Sequence, residues 1–173
     1  MPARRTIVTL ALAGAVLLAA GIVVVASSPG LLPTGEYERT TVTVTDEATG
    51  ETLAAVNARI ADTPPKRYTG LSDTDSLGSD EGMLFVHDTE ERQAYVMREM
   101  AFPLDIVFVR ADGTITRIHH AERPPEGTAN TELTRYTGRA QYVLEVPYNY
   151  TVDHGIDAGD RVAVAGRWGP EDA

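Results

Sequence analysis

Cysteine is absent from this 173-residue chain, and lysine occurs once, at Lys66. Without cysteine there is no disulfide framework, no thiolate metal site and no lipid attachment at a thiol. Serine is confined to positions 27, 28, 72, 76 and 79, outside any Gly-x-Ser-x-Gly elbow, so a buried serine nucleophile has no seat. Phosphate-loop and dinucleotide-binding glycine patterns are missing as well. Histidine is limited to His87, His119, His120 and His154, none at the spacing of a helical zinc pair. His119 and His120 are adjacent, so on a strand they face opposite ways and cannot share one metal. This inventory leads us to expect no metal site and no cofactor.

Positive charge is scarce too, with 15 basic residues against 25 acidic. All the acids lie beyond residue 35, while Arg4 and Arg5 precede the apolar run near the N-terminus. The remainder therefore sets 13 basic residues against 25 acidic, a net −12. Such a surface keeps a domain soluble where salt screens charge, and it suits an extracytoplasmic protein of a halophile. Nucleic acid is a poor match, because a phosphate backbone needs a basic face.

One long hydrophobic run is present, Thr6 to Ala26, which carries no charge. As a helix it would span roughly 30 Å, the thickness of a bilayer's hydrocarbon core. Arg4 and Arg5 precede it and no Lys or Arg follows until Arg39, which places the N-terminus inside and the domain outside the cell membrane. A second reading is a signal segment cleaved near Ala26, after Val24-Val25, with the domain secreted. The expected organisation is an anchor or signal segment over 1–26, a linker over 27–39, an extracytoplasmic domain over 40–167 and a tail over 168–173.

Within that domain, alternation around Val42 and Val44 predicts a strand over Thr40 to Thr45, with a partner over Leu53 to Ile60. Thr63 followed by Pro64 predicts a short helix through Arg67 to about Leu71. Strands are expected at Met83–His87 and Gln93–Met97, joined by a charged turn at Asp88 to Arg92. Leu104 to Val109 and Thr114 to Ala121 flank the hairpin signal Ala111-Asp112-Gly113. Further strands are expected at Gln141–Val146 and Arg161–Ala165, with a short helix from Tyr148 to His154 before Gly155. The fold class is thus mainly β (α+β), a compact barrel-like or folded-over sheet with two short helices, preceded by the N-terminal span.

Several segments carry a family resemblance: Gly70-Leu71, Gly82-Met83-Leu84-Phe85-Val86, Tyr95-Val96-Met97, Pro103-Leu104-Asp105-Ile106-Val107-Phe108 and Tyr142-Val143-Leu144-Glu145-Val146-Pro147. With Gly155-Ile156 and Gly159-Asp160 they occur in order across about residues 42 to 166, and the chain resembles the prokaryotic family called domain of unknown function 192. The resemblance implies a compact, β-rich domain, often exported or lipid-tethered, and no particular reaction. The family usually has an aromatic pair followed by Met-Lys-Asn where this chain reads Tyr95-Val96-Met97-Arg98-Glu99.

Two carboxylates stand inside apolar strand patterns. Alternation puts Asp105 on the face of Val107 and Val109, so it is expected to be buried and bonded, with Arg98 and Arg139 as natural cations. Glu145 sits within Val143-Leu144-Glu145-Val146, where alternation leaves its direction open. As a pair the two could serve as general acid and base. Tyr95, Met97, Met100 and Phe102 read as core packing. Glu122 to Gly138 is long and aperiodic, either a solvated excursion or a flap. As a flap, with Tyr136 near its end, it would cover the face of His119 or His120 and Arg139. Asn149-Tyr150-Thr151 is an N-glycosylation sequon. We therefore expect a ligand-binding or interaction module, its candidate binding residues being Arg98, His119, Tyr136 and Arg139. Its partner would be an unknown small molecule or an envelope protein. The alternative is a carboxylate-based hydrolase using Asp105 and Glu145.

Overall fold

The computed structural model describes residues 35–166, so the apolar run Thr6 to Ala26 and the tail lie outside the described residues. Among the described residues, no helix is long and apolar enough to cross a membrane. Seven strands form a single sheet: β1 (Arg39–Thr45), β2 (Thr52–Ala61), β3 (Glu81–Tyr95), β4 (Leu104–Val109), β5 (Ile115–Ala121), β6 (Tyr136–Pro147) and β7 (Arg161–Val164). Among the described residues two short helices accompany them, α1 (Pro64–Thr69) and α2 (Tyr150–Asp153). The spatial order is β5-β4-β6-β3-β2-β1-β7. All neighbours run antiparallel except β2 and β3, which are parallel and linked by the crossover that carries α1.

The sheet curls until its two edges meet. A bridge joins Thr114 to Arg161, and Ile115 N–H donates to the Asp160 carbonyl at 2.9 Å. The result is a half-barrel, the folded-over sheet that the short, alternating strands predict. Val42, Val56, Leu84, Val107, Leu144 and Val162 fill its concave side. The convex side has a second core, built from Met83, Phe85, Leu104, Ile106, Phe108 and Val143. Both faces of the central strands are therefore covered, which is why all six residues of β4 are buried and why their pattern reads as nearly continuous apolar sequence.

Three expectations change. The segments Met83–His87 and Gln93–Met97 are halves of one strand, β3, which stops at Tyr95. Asp88 to Arg92 is no turn, because both halves pair with β6; the register instead slips between Val86 and Glu91, which absorbs the charged residues as an irregular, exposed stretch. The long connection also shortens, since β6 already starts at Tyr136. Finally, α1 ends at Thr69, and Gly70 takes a positive φ of 55° that favours a glycine. A Cβ at Gly70 would come within 3.2 Å of the Phe85 ring, so its absence also lets the helix end settle onto β3.

Candidate functional site

A pocket of about 220 Å³ opens on the convex side between the end of α1 and the distal half of β3. Glu145 lines it from β6, opposite Met83 on β3 and Ile106 on β4, hence on the convex face. Its residue is 6% exposed, and among the described residues its carboxyl has no hydrogen-bond or ion-pair partner. Burial alone pushes that carboxyl up to about 8, because a charge in an apolar setting lacks solvation. At neutral pH Glu145 therefore carries its proton and can donate an O–H.

The walls combine aromatic and polar groups. Tyr95 stands edge-on to Phe85 and Phe108, at 5.0 and 5.9 Å between ring centres. Its hydroxyl lies 2.9 Å from His87 Nε2. Burial, and then the charge of Glu145, hold the Tyr95 phenol well above its usual range, so it stays a hydroxyl. Burial, followed by the Arg67 charge, lowers His87, so its ring is neutral under ordinary conditions. The two cations of the pocket are already engaged. Arg67 donates from Nη1 to the carbonyls of Asp62 and Val86, at 2.7 and 2.8 Å, and so pins α1 to β3 where β2 ends. Arg98 donates to the Tyr68 carbonyl and lies 3.9 Å above the Tyr68 ring centre. An uncharged, hydrogen-bonding floor thus sits between aromatic rings, under a rim that holds two fixed positive charges.

The other sequence candidates scatter. Asp105 is fully buried, as expected from alternation, but neither Arg98 nor Arg139 reaches it. Its carboxylate accepts four hydrogen bonds: from the backbone N–H of Asn149 (3.1 Å) and Thr151 (2.9 Å), the Thr151 hydroxyl (2.6 Å) and His120 Nδ1 (2.7 Å). It acts as the cap that α2 lacks locally, since Asn149 sits there with φ at 65° and makes no side-chain cap. Asn149 is exposed, whereas the Thr151 of its sequon is buried.

His119 lies 3.1 Å from the Thr137 carbonyl and packs between Phe108 and Tyr136. Arg139 is bound to Glu90 at 2.5 Å. The segment from Glu122 to Arg135 folds against Met97 to Ala101 around a cavity of about 490 Å³, and of the face named for a flap it is Tyr136 that meets His119, at 5.5 Å between ring centres. Two internal turns, Thr128 N–H to Pro125 and Glu132 N–H to Ala129, give it order that its aperiodic sequence conceals. Gly138 is closely packed: a Cβ there would sit 2.4 Å from Phe108.

The structure brings two of the predicted site residues, Glu145 and Arg98, into this pocket and adds His87, Tyr95, Tyr68 and Gln93, while His119 and Tyr136 meet each other away from it. One signal for the additions was available. His87 closes an apolar strand, and a polar residue in that position has to face something other than core.

Curled sheet, crossover helix and carboxyl-floored pocket together define a small β-rich domain of the half-barrel kind. The chain belongs to the domain of unknown function 192 family (DUF192, described as “Uncharacterized ACR”), whose profile matches residues 44–164. No curated protein matches it. Among solved structures, it is similar to a candidate transcription regulator from Sinorhizobium meliloti 1021, with 28% identity and a TM-score of 0.67, covering 76% of this chain and 97% of that one. It is also similar to a protein of unknown function from Novosphingobium aromaticivorans DSM 12444, with 28% identity and a TM-score of 0.65, covering 76% and 89%.

Proposed function

We propose that this protein is a binding module for a small neutral ligand. The ligand carries an acceptor oxygen and enters the pocket that Glu145 floors. The observation that supports this reading is a carboxyl, more than nine-tenths buried and unpartnered, that lines a cavity. The Glu145 oxygens are not among the fully buried side-chain atoms that lack a partner; they open onto the cavity, where a ligand oxygen can accept the carboxyl proton in a hydrogen bond. Fixed arginines at the rim disfavour a cationic ligand, and the size of the cavity suits a single ring or short chain. In this reading the N-terminal apolar run holds the domain outside the cell membrane. A regulator's role is not carried over from the Sinorhizobium protein, since the acid-rich composition offers no support for it. The hydrolase alternative loses its basis, because Asp105 and Glu145 face opposite sides of the sheet.

The test is a screen of several hundred neutral small molecules against the full-length protein and its Glu145→Leu variant, read by thermal shift and calorimetry. At least one compound should bind the native protein with at least tenfold preference over the variant. Equal binding to both, or no binder at all, defeats the proposal.

A further inference from the structure

A second groove, on the far end of the β3–β6 ribbon, is lined by Arg92, Thr116, Arg117, Thr137, Gly138 and Arg139, with a volume of about 320 Å³. No acidic residue lines it, in a chain where acids outnumber bases by 25 to 15. The clustering is built into the backbone. Arg92 and Arg139 are directly opposite one another in the β3–β6 ladder, a placement that brings two like charges side by side and is unfavourable on its own. Arg117 joins them from β5, and its neighbour Thr116 donates to the Arg139 carbonyl at 2.8 Å, which holds β5 against β6.

The charges are only partly spent. Glu90, beside the groove, takes Arg139. Arg92 donates only to a neutral group, the Thr137 hydroxyl, at 3.0 Å. Arg117 makes no hydrogen bond or ion pair to the described residues. Gly138 leaves the floor without a side chain, as it must beneath Phe108. We infer that this groove is an oxyanion site, taking a phosphate or phosphate-ester group between the guanidiniums of Arg92 and Arg117. Guanidinium forks match tetrahedral oxyanions in geometry and charge, and a bound dianion would turn the Arg92–Arg139 repulsion into a shared attraction. The site is separate from the Glu145 pocket and does not rest on it.

Calorimetric titration of full-length protein in detergent micelles tests the inference, with inorganic phosphate and glycerol 3-phosphate as separate probes and chloride at matched ionic strength as control. The phosphate probes should bind saturably where chloride does not. An Arg92→Ala/Arg117→Ala variant should weaken that binding at least tenfold, while Glu145→Gln leaves it unchanged. Both arginines are exposed, and circular dichroism checks that the variant is folded. A preference of tenfold or more for glycerol 3-phosphate makes the ligand a phosphorylated organic group, and equal affinity makes the free ion sufficient. Phosphate heats no different from chloride, or unchanged affinity in the double variant, would overturn the inference.

Discussion

Asp105 and Glu145 belong to adjacent strands one register step apart, Asp105 opposite Val146 and Ile106 opposite Glu145, and they face away from each other through the sheet. Their environments differ accordingly. Asp105 is surrounded by donors and serves the structure, whereas Glu145 has none among the described residues and holds its proton.

Asp105→Ala should destabilise the domain by about 2–4 kcal/mol, because two backbone N–H groups, a buried hydroxyl and His120 lose their acceptor at once. Asp105→Asn should cost less, since one acceptor oxygen survives. Urea midpoints measure both. Equal midpoints for native protein and Asp105→Ala would mean that α2 does not need its distant cap.

Glu145 should make stability fall as pH rises. The ordinary value is 4.5 and burial raises it to about 8. Between these limits the unfolded chain releases the proton and the folded protein keeps it, so the unfolded state gains. The loss is about 1.4 kcal/mol per pH unit, on the order of 5 kcal/mol across the window. Below 4.5 the stability is fully present. Glu145→Gln cannot ionise, so its advantage over the native protein should open above pH 4.5 and level off above 8. His87 also titrates, but it is common to both proteins and cancels in the difference. A pH-independent difference would contradict the buried, unpaired state.

Tyr95→Phe removes only the hydroxyl that meets His87. The aromatic contacts with Phe85 and Phe108 survive, so the stability change should stay within about 1.5 kcal/mol. Affinity for any compound found in the Glu145 pocket should drop at least fivefold, as measured by calorimetry. Unaltered affinity would remove Tyr95 from the site.

Gly82 and Gly138 are positions where one methyl group is expensive. A Cβ on Gly82 would lie 2.6 Å from the Glu145 carbonyl oxygen, and on Gly138 it would lie 2.4 Å from the Phe108 ring. Alanine at either site should cost about 1–3 kcal/mol through forced backbone shifts, visible as a lowered thermal midpoint. Alanine at Gly127, with nothing near it, meets only the strain of its positive φ of 82° and should cost less.

Much of this fold is legible in the residues. Val42 and Val44, and Leu104, Ile106 and Phe108, announce their strands because one-sided burial imprints a period of two. The continuity of β3 is hidden in the sequence because Asp88 to Arg92 carry no apolar residue, and the long-range pairing with β6 is what joins its two halves. Asp105 could be predicted as buried, yet three of its four hydrogen bonds come from Asn149 and Thr151 at the start of α2, more than 40 residues later, a closeness that no local pattern encodes. Glu145's direction hinges on the register of β6 against two neighbours. The pocket also depends on Gly70 and the bulged half of β3, which meet only after the crossover has formed.

The Thr114–Arg161 bridge and the seat of β7 beside β1 have a consequence for the order of events during folding. The first strand of the sheet waits for the last: β1 has β2 on one side, and on the other a partner that the ribosome delivers more than 110 residues later. Until then its outer edge offers unpaired N–H and carbonyl groups to any extended chain nearby. Contacts of such long separation slow folding. The completed half-barrel is therefore a late product, and a nascent or C-terminally clipped chain is a template for self-association.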